Sequence, residues 1–198
     1  MIVITVPSRK ARVEQHLKEK GVNFKIYPAF DGKAMGLSTT NPYLRDHPPE
    51  FWQTNPLFYT GPGINALIMT NLSIIKMARF MDWEEVLIAE DDITVSDNFN
   101  SDFEMIKKEL PADYLTCHFQ YCCKHWLNPY STHLKIGKVL CTGLTLYSKR
   151  GMDIIASNEK LGTAWDIHLF DIMPPQYVCD PQLVDQESLH GRLPTTLS

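Results

Sequence analysis

The stretch Val86-Leu87-Ile88-Ala89-Glu90-Asp91-Asp92 decides the fold prediction. Four apolar residues run directly into three consecutive carboxylates. An apolar run this short, with branched side chains, fits a buried β-strand better than a helix. Carboxylates at the end of such a strand repel one another and cannot all be buried without a counter-charge. The stretch therefore predicts either a divalent-cation site at the carboxyl end of a central strand, shared with nucleotide phosphates, or a solvated acidic turn.

The segments before this stretch alternate between strand and helix patterns. Ser8 precedes a helical pattern as a good N-cap residue, and Gly21 supplies the stop. A strand, a helix and a strand within thirty residues form a βαβ unit, which is typical of a parallel sheet. The predicted elements are strands over 2–6 and 23–30 and helices over 9–20 and 64–80.

The segments after it continue the same alternation. Gly143 interrupts one β-rich segment and predicts a bulge or a close backbone approach. The loop after the strand at 114–119 carries Trp126, Asn128, Pro129 and Tyr130. The predicted strands cover 114–119, 138–148 and 176–184. One predicted helix is capped by Ser96 or Asp97 and runs towards Leu110, and two more cover 149–158 and 163–172.

The whole pattern predicts an α/β fold with a mostly parallel, mixed central sheet flanked by helices. The 198 residues match one domain, 1–198. Within it, residues 36–63 hold five prolines among aromatic residues, which predicts a long functional loop rather than regular structure. Its aromatic side chains could line a sugar site or anchor the loop on the core.

Charge and hydropathy exclude several classes of protein. The net charge is -4, with 19 basic and 23 acidic residues, so no basic surface for nucleic acid is expected. No apolar run is long enough for a transmembrane span, and the first residues lack the charged region of a signal peptide. Peripheral contact with a membrane stays open.

The cysteines predict reduced thiols and a cytoplasmic protein, because their number is odd and their spacing fits no disulfide framework. A zinc site around Cys117 and His118 is the alternative, but its spacing matches no common finger or ribbon. Buried thiols beside a loop are the simpler interpretation. The five cysteines are Cys117, Cys122, Cys123, Cys141 and Cys179.

Six segments of the chain occur in the order found in one enzyme family. They are Pro7-Ser8-Arg9 with Arg12, Ala29-Phe30-Asp31-Gly32-Lys33-Ala34-Met35, the stretch 86–92, Thr142-Gly143-Leu144-Thr145-Leu146-Tyr147-Ser148-Lys149-Arg150-Gly151, Trp165-Asp166-Ile167-His168-Leu169, and Pro181-Gln182-Leu183-Val184-Asp185-Gln186-Glu187-Ser188. With these segments the chain resembles glycosyltransferase family 25, which includes bacterial lipopolysaccharide galactosyltransferases and collagen galactosyltransferases. Each match is short, and their common order over nearly the whole chain makes the resemblance specific.

The resemblance implies a GT-A fold, a Rossmann-like sheet that binds a nucleotide sugar. It implies inverting transfer of a hexose, galactose above all, from a UDP-sugar to a hydroxyl of a saccharide or other acceptor. It also implies Mn²⁺, or Mg²⁺, at the acidic stretch, where a cation held by oxygen ligands neutralises the leaving diphosphate.

Alternation along the strand predicts which face each of the three carboxylates occupies. Glu90 and Asp92 share one face and Asp91 takes the other. Asp92 is the predicted direct metal ligand, and Glu90 is predicted to contact the metal or the ribose. Asp91 stays open as a further contact, because strand ends often twist.

The remaining predicted site residues lie near the strand ends. Ser8 and Arg9 are placed next to the nucleotide, where the arginine could bind phosphate or be solvated. Asp31 and Lys33 follow the second strand, and Asp31 either contacts uracil or ribose or forms an Asp-Gly turn. Asp166 is the predicted general base for the acceptor hydroxyl, with a favourable helix N-terminal charge as its alternative role.

One departure from the family keeps a second class of function open. The family's Ser-His pair before the long helix is replaced by Thr70-Asn71. A catalytically degenerate, transferase-like module that binds glycans or a protein partner is therefore the alternative. A nucleotidyltransferase is disfavoured, because residues 7–10 supply no Gly-rich phosphate loop.

Overall fold

The computed structural model describes residues 1–37, 62–141, 143–159 and 164–187. Most of the predicted loop 36–63 lies outside these residues, so the roles proposed for its aromatic side chains are not addressed. The helices are α1 (Pro7–Glu19), α2 (Pro62–Phe80), α3 (Phe99–Lys107), α4 (Lys149–Ser157) and α5 (Trp165–Ile172). The strands are β1 (Ile2–Thr5), β2 (Lys25–Pro28), β3 (Glu85–Glu90), β4 (Ile93–Val95), β5 (Thr116–His118), β6 (Cys123–Pro129), β7 (Leu134–Leu140), β8 (Leu144–Ser148), β9 (Gln176–Cys179) and β10 (Val184–Gln186).

A mixed sheet of eight strands, in the order β2-β1-β3-β8-β5-β9-β7-β6, forms the centre of the described structure. By their pairing, six of these strands run in one direction, and β7 and β8 run in the other. Strands β4 and β10 pair separately as a small antiparallel sheet. This architecture confirms the predicted α/β class with a mostly parallel mixed sheet.

The helices cover both faces of the sheet, because alternate strand residues face opposite ways. One face packs on α1 and α3 through side chains such as Val13, Leu17 and Ile106. The other face packs on α2, α4 and α5 through side chains such as Ile68, Met152 and Trp165. Strand β3 is central, and its side chains contribute to both clusters.

The first helix begins at Pro7, two residues earlier than the sequence pattern indicates. Val6 is the N-cap, and Pro7 occupies the first turn. Proline is favoured there because the first helical N–H groups have no intrahelical partner. The prediction that Ser8 caps this helix is therefore wrong, since Ser8 lies inside the first turn.

Two further differences concern the segment 123–148. The predicted loop around Trp126 is instead the edge strand β6, which pairs with β7. The predicted single strand 138–148 is instead two strands, because β7 ends at Leu140 and β8 begins at Leu144. The close approach expected at Gly143 is confirmed, because a Cβ there would lie 2.6 Å from Gln120 Oε1.

A substitution at Gly151, in the first turn of α4, tests how closely this helix packs on the sheet. A Cβ at this position would collide with the backbone carbonyl of Leu115. We expect Gly151→Ala to lower the free energy of unfolding by about 3 kcal/mol, because backbone cannot yield as a side chain can. Urea unfolding measures the change, with Arg150→Ala at an exposed neighbouring position as the control. Equal stability of the two variants would contradict this packing.

Candidate active site between the first and third strands

The chain leaves β1 and β3 in opposite directions across the sheet. From β1 it passes through α1 to β2 on one side, whereas after β3 it continues to strands on the other side. In open α/β sheets, the crevice at such a point, outside the carboxyl ends of the strands, is the usual place for a ligand. Thr5 ends β1 and Glu90 ends β3, so the acidic stretch lies at this crevice.

Asp91 holds the turn that connects β1 to α1. Its Oδ2 accepts hydrogen bonds from Thr5 Oγ1 at 2.8 Å and from the Val6 backbone N–H at 3.2 Å. Its Oδ1 forms an ion pair with Arg9 Nη1 at 2.9 Å, and both side chains are 11% exposed. Asp91 therefore positions Arg9 and the start of α1 at the crevice.

Arg12 connects α1 to the acidic stretch and to β10. Its Nη1 binds Glu187 Oε2 at 2.7 Å, and its Nη2 donates to the Asp91 carbonyl at 2.6 Å. The Glu187 backbone N–H in turn donates to the Asp92 carbonyl at 2.8 Å. These three bonds fix the turn after β3 from outside, so Arg12 has a structural role rather than being a solvated helix residue.

Glu90 and Asp92 face the same amide, although β3 ends at Glu90 and Asp92 lies in the turn that follows it. Gln186 Nε2 lies 3.3 Å from Glu90 Oε2 and 3.2 Å from each carboxylate oxygen of Asp92. Asp92 is 5% exposed. Among the described residues, Arg9 forms an ion pair with Asp91 and Arg12 with Glu187, and no Lys, Arg or His forms one with Asp92. Within that part of the chain, Asp92 is thus a buried carboxylate that has no positively charged partner.

The donor set at this point fits a hard cation. Across the described ranges, no group of three or more His, Cys, Asp or Glu side chains is placed to hold a metal ion. The carboxylates of Glu90 and Asp92 face together there, and Gln186 presents the nitrogen of its amide to both. Carboxylate and amide oxygens are ligands that Mg²⁺ and Mn²⁺ prefer, with phosphate oxygens and water completing the shell.

Asp166, at the start of α5, accepts a hydrogen bond from Cys141, which lies two positions before the residue that contacts Glu90. Its Oδ2 accepts a hydrogen bond from the Cys141 backbone N–H, and its Oδ1 accepts one from the Ile167 N–H, both at 2.9 Å. The carbonyl of Gly143 accepts the Glu90 N–H at 2.9 Å. Cys141 and Gly143 are two positions apart, so Asp166 is connected to the end of β3 through two backbone hydrogen bonds and this short segment.

Two of the cysteines are joined, contrary to the prediction of reduced thiols. Cys122 and Cys141 form a disulfide, with their Cα atoms 5.5 Å apart. The pairing of β6 with β7 brings them together, because the Cys122 N–H donates to the Leu140 carbonyl. Disulfides are typical of oxidising compartments, so the cytoplasmic location inferred from reduced thiols loses that support. Cys117 and Cys179 are buried free thiols, as expected.

The other predicted site residues lie around the same strand ends. Ser8 and Lys33 are exposed. Asp31 follows β2, and its Oδ1 accepts the backbone N–H groups of Lys33 and Ala34, both at 3.0 Å. The turn role considered for Asp31 is therefore present, while its second carboxylate oxygen is not used in this turn.

The Thr70-Asn71 pair that replaces the family's Ser-His pair is part of the core. Both residues are buried, Thr70 fully. Thr70 Oγ1 donates to the Ala66 carbonyl at 2.7 Å and accepts the Phe30 N–H at 3.0 Å. Thr70 thus joins α2 to the segment after β2, whereas the Asn71 amide donates to the Leu67 carbonyl within α2.

Sequence reasoning missed a buried polar layer behind the crevice. Gln120 is fully buried and accepts the Gly143 N–H at 3.0 Å. His118 Nδ1 lies 2.9 Å from Thr145 Oγ1, and its Nε2 contacts Gln176 Oε1. No local pattern marks these residues, because they come from three separate strands. Alternation along β5 could have placed His118 on the face of Thr116, but the strand ends at His118 and assigns no face to Gln120.

Burial of His118 predicts a pH dependence of stability. Desolvation lowers its pKa from 6.5 to about 4, so between these values the unfolded chain binds a proton that the folded chain does not. Stability should therefore fall as the pH drops from 6.5 to 4, by up to about 3 kcal/mol from this group. Urea unfolding of the protein and of His118→Asn over this range isolates the contribution. Parallel pH profiles for the two proteins would contradict it.

Comparisons with known proteins add little to this geometry. No protein-family model and no curated protein matches the chain. Among solved structures, it is similar to a glycosyltransferase involved in the glycosylation of the major capsid of PBCV-1, with 16% identity and a TM-score of 0.39. The match covers 77% of this chain, which spans 60% of the length of the other. At this level the similarity does not define an activity. Within the described residues, no helix is long and apolar enough to cross a membrane.

Proposed function

We propose that the protein is a glycosyltransferase that moves a hexose from a UDP-sugar to a hydroxyl of a saccharide or other acceptor, with inversion and with Mn²⁺ or Mg²⁺. The resemblance to glycosyltransferase family 25 suggests UDP, galactose and inversion. We also propose that residues 1–198 form one domain.

The observation that carries the proposal is the pair Glu90 and Asp92 at the crevice between β1 and β3. A buried carboxylate without a matched charge is costly, and Asp92 is in this state among the described residues. Glu90 and Asp92 would hold a divalent cation, which would supply the missing charge and neutralise the leaving diphosphate. A solvated acidic turn would instead expose its carboxylates, whereas Asp91 and Asp92 are both buried.

The donor nucleotide would bind along the ends of β1 and β2. Arg9, held by Asp91, lies at the N-terminal turn of α1, where backbone N–H groups also favour phosphate. Ser8 and Lys33 offer further exposed donors, and Asp31 keeps a carboxylate oxygen for a ribose or uracil group. In this arrangement Asp91 acts by placing Arg9 rather than by touching the nucleotide.

The acceptor would be activated by Asp166. Inversion requires a base that takes the proton of the acceptor hydroxyl as it attacks the sugar. The Asp166 carboxylate is partly exposed and is oriented by two backbone N–H groups. Each of its oxygens retains a lone pair that can accept that proton.

Thermal stabilisation by nucleotide sugars tests the proposal. We expect UDP-galactose or another UDP-hexose at 100 times its Kd to raise the Tm by about 5 to 10 °C with Mn²⁺ present, and much less with EDTA. A GDP-sugar serves as the control, and hydrolysis of the stabilising donor is measured in parallel. Absence of stabilisation by every UDP-sugar in Mn²⁺ would count against the proposal.

One observation favours the second candidate, a degenerate module that binds glycans. Thr70 and Asn71 are committed to internal hydrogen bonds, so the position of the family's Ser-His pair offers no reactive group. Such a module would bind glycans in EDTA as well as in Mn²⁺ and would not turn over any donor. A glycan-binding assay in both conditions separates the two functions.

A further inference from the structure

The amide of Gln186 lies where it can serve the two carboxylates of the crevice. Gln186 ends β10, and the antiparallel pairing of β10 with β4 places it opposite Ile93, next to Asp92. The side chain is buried, with the residue 6% exposed. Its position is therefore fixed by backbone pairing rather than by the contacts that its amide makes.

The amide nitrogen of Gln186 faces more acceptors than it has hydrogens, whereas the amide oxygen has no donor among the described residues. Nε2 has two hydrogens but three carboxylate oxygens within 3.2 to 3.3 Å, each farther than the usual 2.9 to 3.0 Å. Oε1 is buried and has no hydrogen-bond partner among the described residues. A buried acceptor without a hydrogen bond costs about 1 to 3 kcal/mol. The orientation in which the amide only donates is therefore not its most stable arrangement of hydrogen bonds.

A half-turn of the amide exchanges its nitrogen and oxygen. The oxygen would then face Glu90 and Asp92, which is unfavourable for two carboxylates alone but favourable when a cation lies between them. The nitrogen would take the present place of Oε1. We propose that Gln186 supplies the third protein oxygen ligand of a divalent cation held by Glu90 and Asp92, and that its amide turns between a donor state without the cation and an acceptor state with it.

This inference rests on the cation site of the proposed function, but it concerns cation binding alone. Two variants separate an oxygen ligand from a simple hydrogen-bond donor. Gln186→Leu removes both amide atoms at similar volume. Gln186→Glu keeps an oxygen and removes the N–H groups.

Mn²⁺ binding to the full chain, followed by electron paramagnetic resonance and calorimetry without nucleotide, is the test. We expect Gln186→Leu to weaken Mn²⁺ binding at least about 10-fold. We expect Gln186→Glu to bind at least as tightly as the original protein, to have a lower Tm without cation, and to gain more stability from Mn²⁺. Gln15→Leu, at an exposed position of α1, is the control.

Three outcomes would overturn the inference. They are unchanged Mn²⁺ binding in Gln186→Leu, loss of binding in both Gln186 variants, and absence of Mn²⁺ binding to the original protein. Circular dichroism of the cation-free variants shows whether each is folded, and a Glu variant that refolds on adding Mn²⁺ supports the ligand role. Cation binding that depends on Gln186 without any UDP-sugar turnover would leave this inference standing and remove the transferase proposal.

Discussion

Replacement of Asp92 by asparagine should abolish cation-dependent binding of UDP. Asp92→Asn keeps the shape of the side chain but removes the charge that a divalent cation requires from its ligand. Calorimetric titration of UDP in Mn²⁺ should show an affinity at least about 100-fold weaker than that of the original protein. Because a buried carboxylate without a matched charge is lost, the variant should not be less stable in the absence of cation.

The matched control is Asp113→Asn, which removes one negative charge at an exposed position. This variant should bind UDP with an affinity within about twofold of that of the original protein, which separates a ligand role of Asp92 from a general effect of charge. If Asp92→Asn bound UDP as tightly in Mn²⁺ as the original protein, the acidic stretch would not hold the cation. In EDTA, the same titration should give equally weak UDP binding for Asp92→Asn and for the original protein.

Replacement of Asp166 by asparagine should remove turnover and leave the donor site intact. Asn cannot take a proton from the acceptor hydroxyl, and loss of a general base typically costs 10² to 10⁴-fold in rate. Its side-chain oxygen can still accept the Cys141 N–H, so the break between β7 and β8 should keep its place. Cation-dependent UDP affinity should therefore stay within about twofold while kcat falls at least about 100-fold.

Asp171→Asn, an exposed carboxylate on the same helix, is the control for Asp166. It should leave both kcat and UDP affinity unchanged. Full turnover by Asp166→Asn would show that another group is the base. A parallel loss of UDP affinity and kcat would instead assign Asp166 to the binding of the donor.

The sequence alone determined the elements whose signals are local. A short apolar run before three carboxylates predicted β3. The strand ends at Glu90, so Asp91 is separated from Glu90 and Asp92 by the turn that follows and not by alternation along the strand. The helical spacing of apolar residues predicted α2 to within two residues of its observed start. These signals suffice because strand and helix periodicity are properties of neighbouring residues.

Edge strands and turns were less predictable. The polar strand β6 looked like a loop because its stability comes from pairing with β7 and not from its own residues. The disulfide between Cys122 and Cys141 depends on the same pairing. Cysteine spacing could not reveal it, because the distance between two thiols is set by the fold.

The contents of the crevice were decided only by the tertiary structure. Gln186 meets Asp92 across 94 positions of sequence, and Arg9 meets Asp91 across 82. The sequence supplied the carboxylates, but it could not show that arginines neutralise Asp91 and Glu187 while a neutral amide faces Asp92. Charge compensation depends on which side chains the packing of β10, α1 and β3 brings within a few ångströms, and that arrangement sets Asp92 apart from Asp91.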